Sequence, residues 1–193
     1  MCGCCGGRIV DVKIQDMSSI CIRQRRSRDF TECEHVLRQV HETDGYPVNW
    51  PQDPRRFLSP SDEMGAWVAT DAATETDTGT AIVGHLVLSE GQTERRELAE
   101  MGHNIDDAVA GISRFFVRPD ARGAGIGAAL LATASREAAA QGRELMLSVV
   151  DTGDTSAVAI YEHLGWRLIA SLPLDWATNG APPFVMHYYA APK

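Results

Sequence analysis

The sequence predicts an α/β protein built on a mixed central sheet, and three observations carry that expectation. From residue 111 onward, strand-like and helix-like segments alternate, the pattern of strands connected by covering helices. The run LMLSVV at 145–150 is apolar throughout, as in a strand covered on both faces. Between 117 and 127 the chain reads VRPDARGAGIG, where glycines at alternate positions join a strand-like segment to an alanine-rich helical one. With 193 residues and 44% hydrophobic content, one domain with one core is expected.

Residues 1–18 start as MCGCCGG, a poor beginning for a packed element, and are read as an extension, flexible or an extra edge strand, ahead of a domain at 19–193. SICIRQR at 19–25 alternates apolar and polar residues like a half-buried strand, and Asp29 then caps a helix carrying Phe30, Cys33, Val36, Leu37 and Val40 at helical spacing. That helix ends at Asp44-Gly45-Tyr46-Pro47. The proline-rich WPQDPRRFLSP has room for one short helix at 54–58. GAWVAT at 65–70 and TAIVGHLVL at 80–88 read as two strands, with the polar DAATETDTG between them as a hairpin loop. An insertion at 90–111 should hold a charged surface helix around 93–101, and GISRFFV at 111–117 is a strand by its Phe and Val content. Ile126, Leu130, Ala134 and Ala138 line one face of the next helix, which Gly142 ends. After the 145–150 strand, Asp154 suits the N-cap of a helix that packs through Ala157, Ile160, Tyr161 and Leu164 and ends at Gly165. WRLIASL and FVMHYYA close the chain as strands.

A net charge of −8 and a pI near 5.2 argue against non-specific nucleic-acid binding, which needs surplus cations facing phosphates. No stretch approaches the ~18–20 apolar residues of a membrane span, and no secretion signal stands at the start. A soluble cytoplasmic protein is expected. Cys2, Cys4 and Cys5 crowd together without the second ligand pair a structural zinc site requires, so no metal is expected. Cys21 and Cys33 look like small core residues.

The glycine-rich turn admits two readings from its residues alone. Gly123, Gly125 and Gly127 let backbone N–H groups turn inward, the following helix adds the positive end of its dipole, and Arg122 adds a cation at the rim. Such a turn suits a diphosphate. Gly123, Gly125 and Ala128 also fit the G-x-G-x-x-A of a dinucleotide fold with Asp151 as the ribose acid. Against it, five residues separate strand from first glycine and only 42 follow Asp151.

ISRFFVRPDARGAGIGAALL, followed by SAVAIYEHLGW, resembles the GNAT superfamily of acyl-CoA-dependent N-acyltransferases. The resemblance implies a GNAT-type single domain, with six to seven strands flanked by helices and two splayed parallel strands around the acyl-CoA site. It places coenzyme A contacts at Phe115, Phe116 and Val117 on the strand, at Arg122, Gly123, Ala124, Gly125, Ile126, Gly127 and Ala128 in the turn, and at Asp154. Relatives often carry Asn at that last position, and helix capping also explains an Asp there. Acetyl-CoA is the implied cosubstrate. Tyr161 matches the family tyrosine that donates to the departing thiolate, although its spacing equally fits an aromatic on a buried helix face.

Backbone donors on 115–117 would stabilise the thioester oxygen as charge develops there. Neither flanking strand carries a carboxylate, so the general base is left among Asp106, Asp107, Asp151 or a water chain. His85 and His163 read as packing or surface residues, and Trp50, Trp67 and Trp176 as core aromatics or cleft walls. The expected acceptor is a small-molecule amine, with a peptide N-terminus or lysine second and a non-catalytic coenzyme-sensing domain as the rival. FVMHYYA, if exposed, would pair copies of the chain into a homodimer.

Overall fold

The computed structural model describes residues 19–76, 79–151, 156–174 and 184–192. Among these, seven strands form one sheet in the order β1-β2-β3-β4-β5-β7-β6. In chain order the elements are β1 (Ile20–Gln24), α1 (Phe30–Asp44), α2 (Pro54–Leu58), β2 (Glu63–Thr76), β3 (Gly79–Ser89), α3 (Gln92–Glu100), β4 (Val109–Val117), α4 (Ile126–Ala140), β5 (Glu144–Asp151), α5 (Ser156–His163), β6 (Arg167–Leu174) and β7 (Phe184–Ala190). Only β4 and β5 pair in parallel; every other pairing is antiparallel. That topology removes the dinucleotide reading, which needs a run of parallel strands.

Side-chain alternation sorts the helices onto two faces. Leu145 and Leu147 on β5, with Ala110 and Ile112 on β4, pack with Ile126, Leu130, Leu131, Ala134 and Ala138 of α4 and with Tyr161 of α5. On the opposite face, Val36, Leu37 and Val40 of α1 and Leu58 of α2 cover Val68, Ile82 and Phe116, while Leu98 of α3 meets Val109, Met146 and Tyr188. The apolar periodicity of α1 and α4 thus maps onto opposite sides of one sheet, and Gly45 and Gly142, both left-handed, end the two helices.

Several expectations need correction. The polar stretch at 71–79 is mostly strand, because the Thr-rich backbone continues the β2–β3 ladder past a register shift between Asp71 and Glu75. Cys21 is exposed on edge strand β1, whereas Cys33 is fully buried and its thiol is pushed up to about 12 by burial. Ile160 is exposed, and Val158 joins Ala157 and Leu164 against the core. The Asp29 carboxylate does not cap α1; it binds Arg23 at 2.7 and 2.9 Å and the Arg26 N–H at 2.6 Å. FVMHYYA is no free edge, since β7 lies between β5 and β6. The α3 helix is not wholly a surface helix, because Glu94 and Leu98 are buried.

Leu130, fully buried between α4 and the sheet, sits at the centre of the larger core. Leu130→Ala is expected to lower the unfolding free energy by about 2–5 kcal/mol, read from the urea midpoint at unchanged slope.

Candidate active site

The β4–β5 ladder begins at Val109↔Glu144 and stops at Ile112↔Leu147. Both strands continue, β4 to Val117 and β5 to Asp151, so a wedge opens between them. Its cause lies on the other edge of β4. His85 pairs with Phe116 and Val87 with Ser113, leaving Arg114 and Phe115 opposite Leu86 alone, a β-bulge that bends the strand. Arg114 adopts φ +50°, the one left-handed non-glycine residue among those described.

Three contacts hold Arg114 in that unfavourable conformation. Its Nε donates to the Phe57 carbonyl at 2.9 Å, its guanidinium lies 4.2 Å from the centre of the Phe57 ring, and its carbonyl lies 2.8 Å from His85 Nδ1. The second nitrogen, Nε2, is 2.9 Å from Arg25 Nη1. An arginine only donates and a carbonyl only accepts, so the proton sits on Nδ1 and Nε2 is the acceptor. Burial pushes His85 down to about 3, which keeps it neutral. Arg25 is itself fixed by the Leu58 carbonyl at 2.5 Å and Glu63 at 2.7 Å.

Beyond the wedge, a short 3-10 turn at Pro119–Ala121 leads into the glycine loop. Gly123 and Gly125 have φ of +82° and +76°, and open space surrounds both. The first intrahelical bond of α4 runs from Ala129 N–H to the Gly125 carbonyl at 3.0 Å. Among the described residues, the amides of 123–128 therefore have no backbone acceptor. Ile126 is buried and anchors the loop, Ala124 packs against the core edge, and Ala128 is exposed. Gly127 permits a close approach: a Cβ there would lie 3.3 Å from Phe115 Cζ. The Arg122 guanidinium turns away from the loop onto Asp44, pairing with both carboxylate oxygens at the last turn of α1, and its Nε donates to the Val117 carbonyl at 3.3 Å. Asp44 stands at the negative end of the α1 dipole, where a cation partner offsets the repulsion.

Phe115 and Val117 point toward α4, whereas Phe116 lies on the other face, stacked on His85 with ring centres 5.1 Å apart. Tyr161 is buried beside Phe115, Trp166 and Tyr189 at ring-centre distances of 6.5, 5.9 and 6.0 Å. Burial raises its phenol above the usual range, and the Tyr46 phenol, carried by the loop after α1, adds to that shift. The two phenols therefore come within electrostatic reach of each other although their elements cover opposite faces. Tyr46 itself is pushed up to about 12 by burial.

The structure brings together Phe115, Val117, the glycine loop and Tyr161, while Arg122 sits at the loop's edge facing α1. Asp154 lies outside the described residues, as do Trp176 and Cys2, Cys4 and Cys5. Asp107 is an exposed partner of Arg95 at 2.6 Å, Asp106 accepts the Ala108 N–H at 3.0 Å, and Asp151 lies 3.5 Å from His187 Nε2 at the open end of β5. His163 is exposed, Trp67 is core, and Trp50 carries the Arg38 guanidinium 4.4 Å from its ring centre. Tyr46, Glu94, Ser113 and Ser148 around the wedge were not distinguishable in the sequence. Glu94 sits in a charged run that reads as a solvated surface, and the hydroxyls gain meaning only from where pairing stops.

Comparison with known proteins agrees with this geometry. The acetyltransferase (GNAT) family profile matches residues 35–166. The chain belongs to that family, whose enzymes use acetyl-CoA as donor. It is 31% identical over 58 residues to the L-methionine sulfoximine/L-methionine sulfone acetyltransferase of Pseudomonas paraeruginosa, an alignment covering 30% of this chain and about a third, 34%, of the relative. The fold is similar to Arabidopsis thaliana NAA60 in complex with acetyl-CoA, at TM-score 0.67 and 17% identity over 89% of this chain and 97% of that one. It is also similar to a GCN5-related N-acetyltransferase from Kribbella flavida, at TM-score 0.65 and 21% identity over 92% and 100% of the two chains.

The His85 contacts carry a pH signature. An unfolded histidine titrates near ~6.5 and His85 in the fold near 3, so between those values the unfolded chain binds more protons. Stability is expected to fall as pH drops from ~7 through this window. His85→Gln, which retains one donor and one acceptor, should flatten that part of the slope in thermal melts taken from pH 7 to pH 4.

Proposed function

We propose that this chain transfers the acetyl group of acetyl-CoA to a primary amine of a small molecule, by direct attack within a ternary complex. The observation that carries the reading is the wedge itself, with an unpaired main-chain edge on β4, free amides in the adjoining glycine loop and a buried phenol on the same face. The loop amides and the α4 dipole suit the donor's diphosphate. Those main-chain groups of 113–117 that face β5 rather than β3 suit the amide groups of its pantetheine arm, and their N–H groups suit the thioester oxygen as it gains charge.

Tyr161 is protonated at neutral pH, so its hydroxyl can donate a hydrogen bond to the sulfur as the carbon–sulfur bond breaks. Its raised pKa suits stabilising a thiolate better than giving up the proton outright. A free amine acceptor is favoured by the relative that acetylates L-methionine sulfoximine and its sulfone, both small amino acids. The excess acid on the inserted segment would also attract a cationic amine.

Calorimetric titration with acetyl-CoA, followed by a thiol-release assay over a panel of amines, tests the reading. Gly125→Val is expected to weaken acetyl-CoA binding by at least tenfold, because a β-branched residue cannot hold φ +76° without strain. Tyr161→Phe should lower kcat by about 10²-fold at nearly constant acetyl-CoA affinity. Binding without thiol release for any amine would instead mark a coenzyme-binding domain without turnover.

A further inference from the structure

The inserted helix α3 carries a carboxylate for which the coenzyme contacts have no use. Glu94 is 6% exposed, and its Oε1 accepts the Ser148 hydroxyl at 3.2 Å. Its Oε2 lies 2.9 Å from where a Cβ on Gly111 would stand. Gly111 pairs with Met146 one step before the ladder ends, and Ser148 is the first residue of β5 beyond that end. Ser113, the matching first residue of β4, has a buried hydroxyl oxygen with no hydrogen-bond partner. A carboxylate and two hydroxyls are thus placed around the closed end of the wedge. They lie on the face of α1, α2 and α3, opposite Tyr161 and the glycine loop.

The first turn of α3 and the Glu94 N–H favour a carboxylate there, but no cation among the described residues pairs with it to offset its burial. The charged groups that act on Glu94 are Glu97 on its own helix and Asp62 ahead of β2, both acids; Glu97 in turn accepts the Tyr188 hydroxyl at 2.7 Å. Burial, the largest influence, and these two acids raise the Glu94 pKa, only partly countered by its hydrogen bonds from Ser148 and the backbone. A buried carboxylate facing further acids destabilises a fold, and a glutamine of the same shape would relieve the strain. Such groups concentrate at reaction centres.

We propose that Glu94, acting through the Ser148 hydroxyl, is the base that deprotonates the incoming amine. The inference rests on the acetyl-transfer reading above. An ammonium acceptor gives one proton to Ser148 Oγ as the Ser148 hydroxyl proton passes to Glu94. The freed nitrogen pair forms the C–N bond at the thioester carbon, the C–S bond breaks with its electron pair going to sulfur, and the second nitrogen proton ends on that sulfur as coenzyme A thiol. Glu94 then releases its proton to solvent. The base enters from one face of the sheet and the hydrogen bond to sulfur from the other, so neither competes for the same space.

The test compares the wild-type chain with Glu94→Gln and Ser148→Ala, using thiol release from acetyl-CoA with two acceptors: an alkyl amine mostly protonated at the assay pH and hydroxylamine, mostly unprotonated. For the alkyl amine, Glu94→Gln is expected to lower kcat by about 10²-fold or more, with acetyl-CoA affinity unchanged and kcat/KM rising with pH toward the amine's own pKa in place of levelling off above that of Glu94. The defect should shrink to a fewfold with hydroxylamine, which needs no base before attack. Glu94→Gln should also melt at or above the wild-type temperature at pH 8, a gain that separates loss of a base from loss of fold. Ser148→Ala, which leaves the α3 contacts with Met146 and Tyr188 in place, should reproduce the rate pattern. Equal defects for both acceptors, or a Glu94→Gln rate within twofold of wild type, would overturn the assignment while leaving acetyl transfer standing. A wild-type chain that releases no thiol with any amine overturns both.

Discussion

The parallel ladder between β4 and β5 lasts four residue pairs, from Val109↔Glu144 to Ile112↔Leu147, and the proposed site is arranged around its end. A flat, fully paired sheet would bury the main-chain groups of 113–117 against β5. The bulge at Arg114 and Phe115 prevents that by turning β4 away after Ile112. A left-handed arginine is unfavourable by about 1–2 kcal/mol, and the surroundings must outweigh it. They do so with one connected set of contacts running from Arg25 through the neutral ring of His85 to the Arg114 carbonyl, with the Phe57 carbonyl and ring holding the guanidinium. Strain is therefore local to the place where the sheet must open, and its support is drawn from the residue after β1, from α2 and from β3 together.

An opened sheet has two faces, and the chain furnishes them differently. On one, α4 presents unpartnered amides behind left-handed glycines, and α5 supplies the Tyr161 phenol. On the other, α1, α2 and the inserted α3 frame the wedge with Tyr46 and Glu94. A group that stabilises a leaving sulfur and a group that accepts a proton from the attacking nitrogen work best on opposite sides of the carbon between them. Side-chain alternation along β5 delivers that separation without any special device, since Leu147 and Val149 face α4 and α5 while Met146 and Ser148 face α3. Arg122 adds a link between the faces, because its pair with Asp44 ties the loop ahead of α4 to the last turn of α1.

Much of this was legible in the sequence. The helix faces of α1 and α4, the continuous apolar strand β5, and the glycine loop with its register to Tyr161 all rest on local periodicity or on residue types whose backbone freedom is distinctive. Family membership followed from motifs that require no tertiary information. What escaped is non-local. The bulge cannot be read from SRFF, because it arises from the pairing of β4 with His85 and Val87. The 71–79 stretch looked like a loop because its residues are polar, yet its length was set by the ladder it continues. The edge role expected for FVMHYYA failed because the last strand inserts between two earlier ones. Glu94 was invisible for the same reason: a charge in TERRELAE is an ordinary surface residue unless the helix lays it over Gly111 and Ser148.

The most direct test of the central claim is amide hydrogen exchange with and without acetyl-CoA. If the open edge of β4 and the loop before α4 hold the donor, protection should rise at 113–117 and 123–128, and the paired residues 109–112 should change little. Protection confined to other segments, or none at the unpaired edge of β4 under saturating acetyl-CoA, would contradict the account.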